Sequence, residues 1–151
     1  MRAFQFRLQT LQRIREQLRD AAQRQLAEAE QRRTELQQCE QDVRGELQGL
    51  ETHMRKAISK PAVDVDRVMD GHRHQISLQA RLAELDQAIA KANEEVAQCR
   101  HKLVEADRDV KVLEKLHERQ LEAHTKQLAA HEAKLLDEAA AIRASRQAKT
   151  A

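Results

Sequence analysis

Residues 59–66 read SKPAVDVD. Pro61 has no N–H to donate, and its ring pushes Lys60 out of the α region. A helix arriving from the N-terminal side must stop near this point. Just beyond it, Asp64 or Asp66 can accept from the free N–H groups of a new helix. The stretch therefore reads as a turn at about 59–64 between a helix over about 3–58 and a second over about 65–146.

Both flanks carry the pattern that such a turn needs. From Phe4 an apolar stripe steps by four and three through Leu8, Leu11, Arg15, Leu18, Ala22, Gln25, Ala29, Arg32, Leu36, Cys39 and Val43. A period of 3.5 residues keeps one face of a helix on a partner helix. Two successive steps of four, through Leu47, read as a stutter before Leu50 and Met54. Gly45 and Gly49 flank it and weaken the helix by roughly 1 kcal/mol each relative to Ala. The second stripe is cleaner: Leu78, Leu82, Leu85, Ile89, Ala92, Val96, Cys99, Leu103, Ala106, Val110 and Leu113 fill it without one charged residue. On the outer faces Glu28/Arg32, Glu40/Arg44, Glu51/Arg55 and Asp107/Lys111 each set an acid four residues before a base, the better orientation on a helix.

Two long stripes joined by a short turn are satisfied when each buries the other. The expected fold is all-α: a long antiparallel two-helix coiled-coil hairpin, with 1–151 as a single coiled-coil domain. The competing arrangement, parallel pairing of extended chains, has to accommodate Pro61 within a helix. Composition agrees. Of 151 residues 34% are charged, 40% are apolar and 1% are aromatic, with no Trp or Tyr. That is the make-up of long helices rather than of an ordinary globule.

The net charge of +2 is too small to imply a nucleic-acid partner. Its distribution is more informative. Arg2, Arg7, Arg13, Arg15 and Arg19 crowd the first twenty residues, and Arg143, Arg146 and Lys149 follow the last acid, Glu138. A hairpin would gather these two basic segments into one positive tip. No apolar run approaches the ~20 residues of a membrane span, and the start has no apolar signal region. The expected protein is cytoplasmic, without membrane insertion, with Cys39 and Cys99 as reduced thiols. Both lie on the stripes, where antiparallel pairing would bring them to similar heights.

His117, His124 and His131 recur every seventh residue. Two helical turns separate neighbours by roughly 10 Å along the axis, too far for one metal ion. They read as polar seam residues that help set register. A seam that loosens on protonation near pH 6 is the other reading, and facing arginines would already favour neutral imidazole. His72 and His74 point to different faces. No phosphate loop, CxxC, HExxH or nucleophile elbow occurs, and a two-helix hairpin has no cavity of catalytic size. The expectation is a non-enzyme with no catalytic residue, cofactor or metal.

Two segments, FQFRLQTLQRIREQLRDAAQRQLAEAE at 4–30 and DVKVLEKLHERQ at 109–120, resemble the FliJ family of flagellar type III export proteins. That family includes the YscO-like proteins of injectisomes. The resemblance covers nearly the whole chain in length, turn position and stripe pattern, and its specific parts are FRLQ near the start and KVLEKLHER at 111–119. It implies a cytoplasmic coiled coil, similar to the central stalk of rotary ATPases, that acts in flagellum biogenesis and motility. Such a protein inserts the end carrying its termini into a hexameric export ATPase and stimulates it. It also escorts export chaperones to the membrane-embedded export gate, which would place it peripherally at the inner membrane. The residues that would meet the partner are Arg7, Arg13, Lys111, Lys115, Arg119, Arg143 and Arg146. Lys111, Lys115 and Arg119, four apart on one face, also fit a plain solvated surface. Aromatic residues that some relatives carry near the turn end are missing here. A structural coiled-coil spacer or tether without an ATPase partner is the alternative reading.

Overall fold

The computed structural model describes residues 4–150, with side chains to 148. Arg2 and the side chain of Lys149, counted above among the basic ends, lie outside the described residues. The fold is all-α. Helix α1 spans Gln9–Ile58 and helix α2 spans Val65–Thr150, with no strand among the described residues. The two helices pack antiparallel as a coiled-coil hairpin. The chain divides into two compact units, a turn unit of Asp20–Val104 and a terminal unit of Met1–Arg19 with Glu105–Ala151.

In the turn unit, α1 closes with Arg55 and Lys56 in its last turn, where cations suit the helix dipole. Ser59 donates its N–H to the Arg55 carbonyl at 3.3 Å and its hydroxyl to the Lys56 carbonyl at 2.9 Å. Of the two candidate caps it is Asp64 that serves: its Oδ1 accepts the Arg67 N–H at 3.3 Å. Asp66 stands inside the first turn of α2, where a negative charge complements the dipole.

The α1 seam differs from the stripe read off the sequence. Its inward positions are Gln12, Arg15 and Arg19 in the terminal unit. In the turn unit they are Ala22, Leu26, Ala29, Arg33, Leu36, Glu40, Val43, Leu47, Leu50, Met54 and Ala57, all buried or half-buried. With Glu40 in the row these steps alternate three and four, and Cys39, the member read from the sequence, is half-buried beside it. Leu11, Leu18, Gln25 and Arg32 sit one residue off this phase and are exposed. The cause is at the start. Residues 4–8 are not helical, and α1 begins at Gln9 rather than near residue 3. Stepping from Phe4 as though it were helical misplaces alternate members by one residue as far as Arg32, while Arg15, Ala22 and Ala29 fall in the seam as read.

The α2 seam holds as read. Leu78, Ala92, Val96, Val110 and Leu113 are buried, and the six other members of the stripe are half-buried. Polar bonds across the turn unit fix the antiparallel register: Arg100 to Glu30 at 2.8 Å, Arg32 to Glu95 at 3.7 Å, and His74 Nε2 to Glu46 at 3.1 Å. All are exposed, so each adds at most about 1 kcal/mol; the apolar seam supplies the stability. In this register the two cysteines are not at similar heights. The Arg81 guanidinium reaches Cys39 Sγ at 4.0 Å, whereas Cys99 lines a groove with Gln25 and Glu28. Both are free thiols. Gly71 lets the helices approach beside the turn, since a Cβ there would meet Met54 Cγ and Sδ at 3.1 Å.

Candidate functional site

The terminal unit carries the residues that the sequence nominated for partner contact. Here α2 runs antiparallel to the start of α1, tied by Arg15 to Asp109 at 2.9 Å. The non-helical segment before α1 continues along α2. Phe6 is buried against His117, with ring centroids 4.9 Å apart at 88°. Phe4 touches both His117, at 5.5 Å, and His124, at 5.6 Å. The chain has two Phe and no other aromatic of the Phe, Tyr or Trp class, so all of this large apolar surface is spent on one clasp. Two of the three heptad histidines thus lie in the seam, and His131 is exposed.

The clasp fixes where pairing ends. With Phe4 at the height of His117–His124, about 25 residues of α2 continue beyond any facing helix among the described residues. All but Leu128 of the described side chains past His124 are exposed. This C-terminal arm is roughly 35–40 Å long at 1.5 Å per residue.

The seven nominated cations fall into two groups. Arg7 and Arg13 stand at the heights of Lys111, Lys115 and Arg119, so these five share one band of the paired region, and all are exposed. Lys111 contacts Asp107 at 2.6 Å. That hydrogen bond, and then the carboxylate's charge, hold its pKa above the ordinary 10.5, so it is cationic at neutral pH. Arg143 and Arg146 lie far along the arm, roughly 30 Å beyond His124. The two basic segments therefore do not merge into one tip: the antiparallel register leaves α2 longer than the stretch it faces.

Sequence reasoning missed a further feature. Because the α1 seam is shifted, Leu11, Ile14 and Leu18 point outward, at 38%, 48% and 51% exposure. Leu11 shares a groove with Val112 beside the Arg15–Asp109 pair. The signal was present in the interleaving of two rows, Leu11/Ile14/Leu18 against Gln12/Arg15/Arg19: the stripe read from the sequence placed Arg15 correctly but took Leu11 and Leu18 in place of Gln12 and Arg19.

Among the described residues no group of three or more His, Cys, Asp or Glu is placed to hold a metal ion. Nor is any helix among the described residues long and apolar enough to cross a membrane. A family model described as the flagellar FliJ protein matches residues 4–149. The chain belongs to the FliJ family. FliJ proteins are non-catalytic components of the flagellar protein-export apparatus, which assigns this one to flagellum biogenesis and protein export. No curated protein and no solved structure gave a significant match.

Proposed function

We propose that this FliJ-family protein is a stalk-like coiled coil that binds the hexameric export ATPase through its terminal unit and stimulates it. In the same role it escorts export chaperones to the export gate, working in the cytoplasm and peripherally at the inner membrane. The observation that carries the reading is the form of the terminal unit. A band of five exposed cations is followed by a single helical arm with two further arginines and no facing helix among the described residues. A single helix about 10–12 Å across fits a narrow ring opening that a globular domain cannot enter. Its cations suit acidic side chains or helix C-termini there. A spacer needs no such arm.

The experiment is stimulation of the purified export ATPase by the wild-type protein and by a quadruple variant, Arg7→Glu, Arg13→Glu, Arg143→Glu and Arg146→Glu. Loss of stimulation with helicity retained supports the stalk. Undiminished stimulation removes the basic residues from the interface, and no stimulation by the wild type leaves the spacer reading.

A further inference from the structure

An apolar row runs from Leu121, at the end of the paired region, into the C-terminal arm, and the described residues leave most of it uncovered: Leu128 is half-buried and the rest is exposed. Leu121, Leu128, Leu135 and Ile142 recur every seventh residue, and Leu135 and Ile142 are 52% and 53% exposed. The row stands one residue off the seam series Cys99, Ala106 and Leu113, so it forms a separate apolar face beside His124, with Leu128 half-buried where the two meet. Helices in proteins draw most of their stability from packing an apolar face, and a heptad apolar row is the pattern that a second helix covers.

We propose that in the free protein the arm of one copy lies antiparallel along the arm of a second copy, forming a two-fold dimer. The row is symmetric about a point between His131 and Glu132. An antiparallel partner centred there brings Leu121 to the height of Ile142 and Leu128 to the height of Leu135, from both directions. Small side chains at Ala129, Ala130, Ala133 and Ala139 let the helices approach closely. Charge selects the direction. Glu118 and Glu122 outnumber Arg119 at one end of the row, and after Glu138 the charged residues are all basic, beginning with Arg143. Antiparallel pairing sets Arg143 of each copy at the height of Glu118 and Glu122 of the other, and Lys126 at the height of Asp137. Parallel pairing sets each charge beside its own kind, which is unfavourable. Taken with the proposed function, on which only this consequence rests, the dimer is the resting form, because the same arm cannot serve a second copy and the ATPase ring at once.

The test uses the full-length protein alone, with Cys39→Ser and Cys99→Ser, and one spin label at Ala133→Cys or at Ala144→Cys. At about 50 µM, label 133 should show a short distance between copies, within about 20 Å. Label 144 should report roughly 35–40 Å, from the rise per residue. Short distances at both sites would mean parallel pairing and overturn the proposal, as would the absence of coupling at both. Adding Leu128→Glu and Leu135→Glu should abolish the coupling while helicity falls only by the arm's share. Coupling that survives those changes also overturns it. Because no ATPase is present, this outcome is independent of whether the ring reading stands.

Discussion

Phe6 meets His117 edge to face, 4.9 Å between ring centroids, and this contact ties a non-helical segment to the far part of α2. It closes the paired region and determines how much of α2 is left over.

Phe6→Ala should loosen this closure locally. The lost burial is worth about 1.5–3 kcal/mol. Amide exchange should accelerate by about that free energy in residues 9–16 and 113–120, while amides of residues 85–100 keep wild-type protection. Uniform loss of protection along the chain would show that the two units open as one.

The three glycines should respond differently to alanine. A Cβ at Gly45 or Gly49 meets nothing within 4 Å. Gly45→Ala and Gly49→Ala should each stabilise by about 1 kcal/mol, the helix-propensity difference. At Gly71 the new methyl crowds the Met54 side chain at 3.1 Å, so Gly71→Ala should gain little or nothing. Urea midpoints of the three variants measure the contrast.

Arg33 occupies an inward position, and its Nε is buried without a hydrogen-bond partner. An unsatisfied buried donor costs about 1–3 kcal/mol. Arg33→Met keeps the apolar stem and removes the donor, so it should raise the urea midpoint by an amount worth about 1 kcal/mol. A lower midpoint would mean that the guanidinium contributes more than its buried nitrogen costs.

If the basic band meets the ATPase, Lys111→Glu, Lys115→Glu and Arg119→Glu together should weaken binding by about tenfold or more, mainly through the association rate. Wild-type binding should itself weaken as salt rises, because exposed charges are screened beyond roughly 8 Å at physiological ionic strength. Titration calorimetry or surface binding at two salt concentrations reads both effects.

These comparisons also show which features could be read before the structure. The break at Pro61 and the α2 stripe from Leu78 to Leu113 were legible because proline's missing donor and an unbroken apolar row admit one solution. In the α1 seam one of the two rows, Arg15, Ala22, Ala29 and Leu36, was legible throughout, and the other only after Arg32. Its first half presents two rows one residue apart, and the more apolar one, with Leu11 and Leu18, faces outward. Hydrophobicity alone chooses wrongly there, since Gln12, Arg15 and Arg19 gain their inward place from the phase set at Gln9 and from partners such as Asp109. The cation set was found as residues but not as a site. Uniting Arg7 and Arg13 with Lys111, Lys115 and Arg119, and separating Arg143 and Arg146, requires the register. That depends on contacts between residues about a hundred positions apart, such as Arg15 with Asp109.

The most direct test is the distance between spin labels at Gln5→Cys and Gln120→Cys in a Cys39→Ser, Cys99→Ser background, diluted with unlabelled protein. Antiparallel pairing within one chain predicts a separation of about 10–20 Å that dilution does not remove, lengthening to roughly 35–40 Å when the second label moves to Ala144→Cys, as the helical rise requires. Two labels far apart in the diluted sample, or a short distance that vanishes on dilution, would contradict the hairpin.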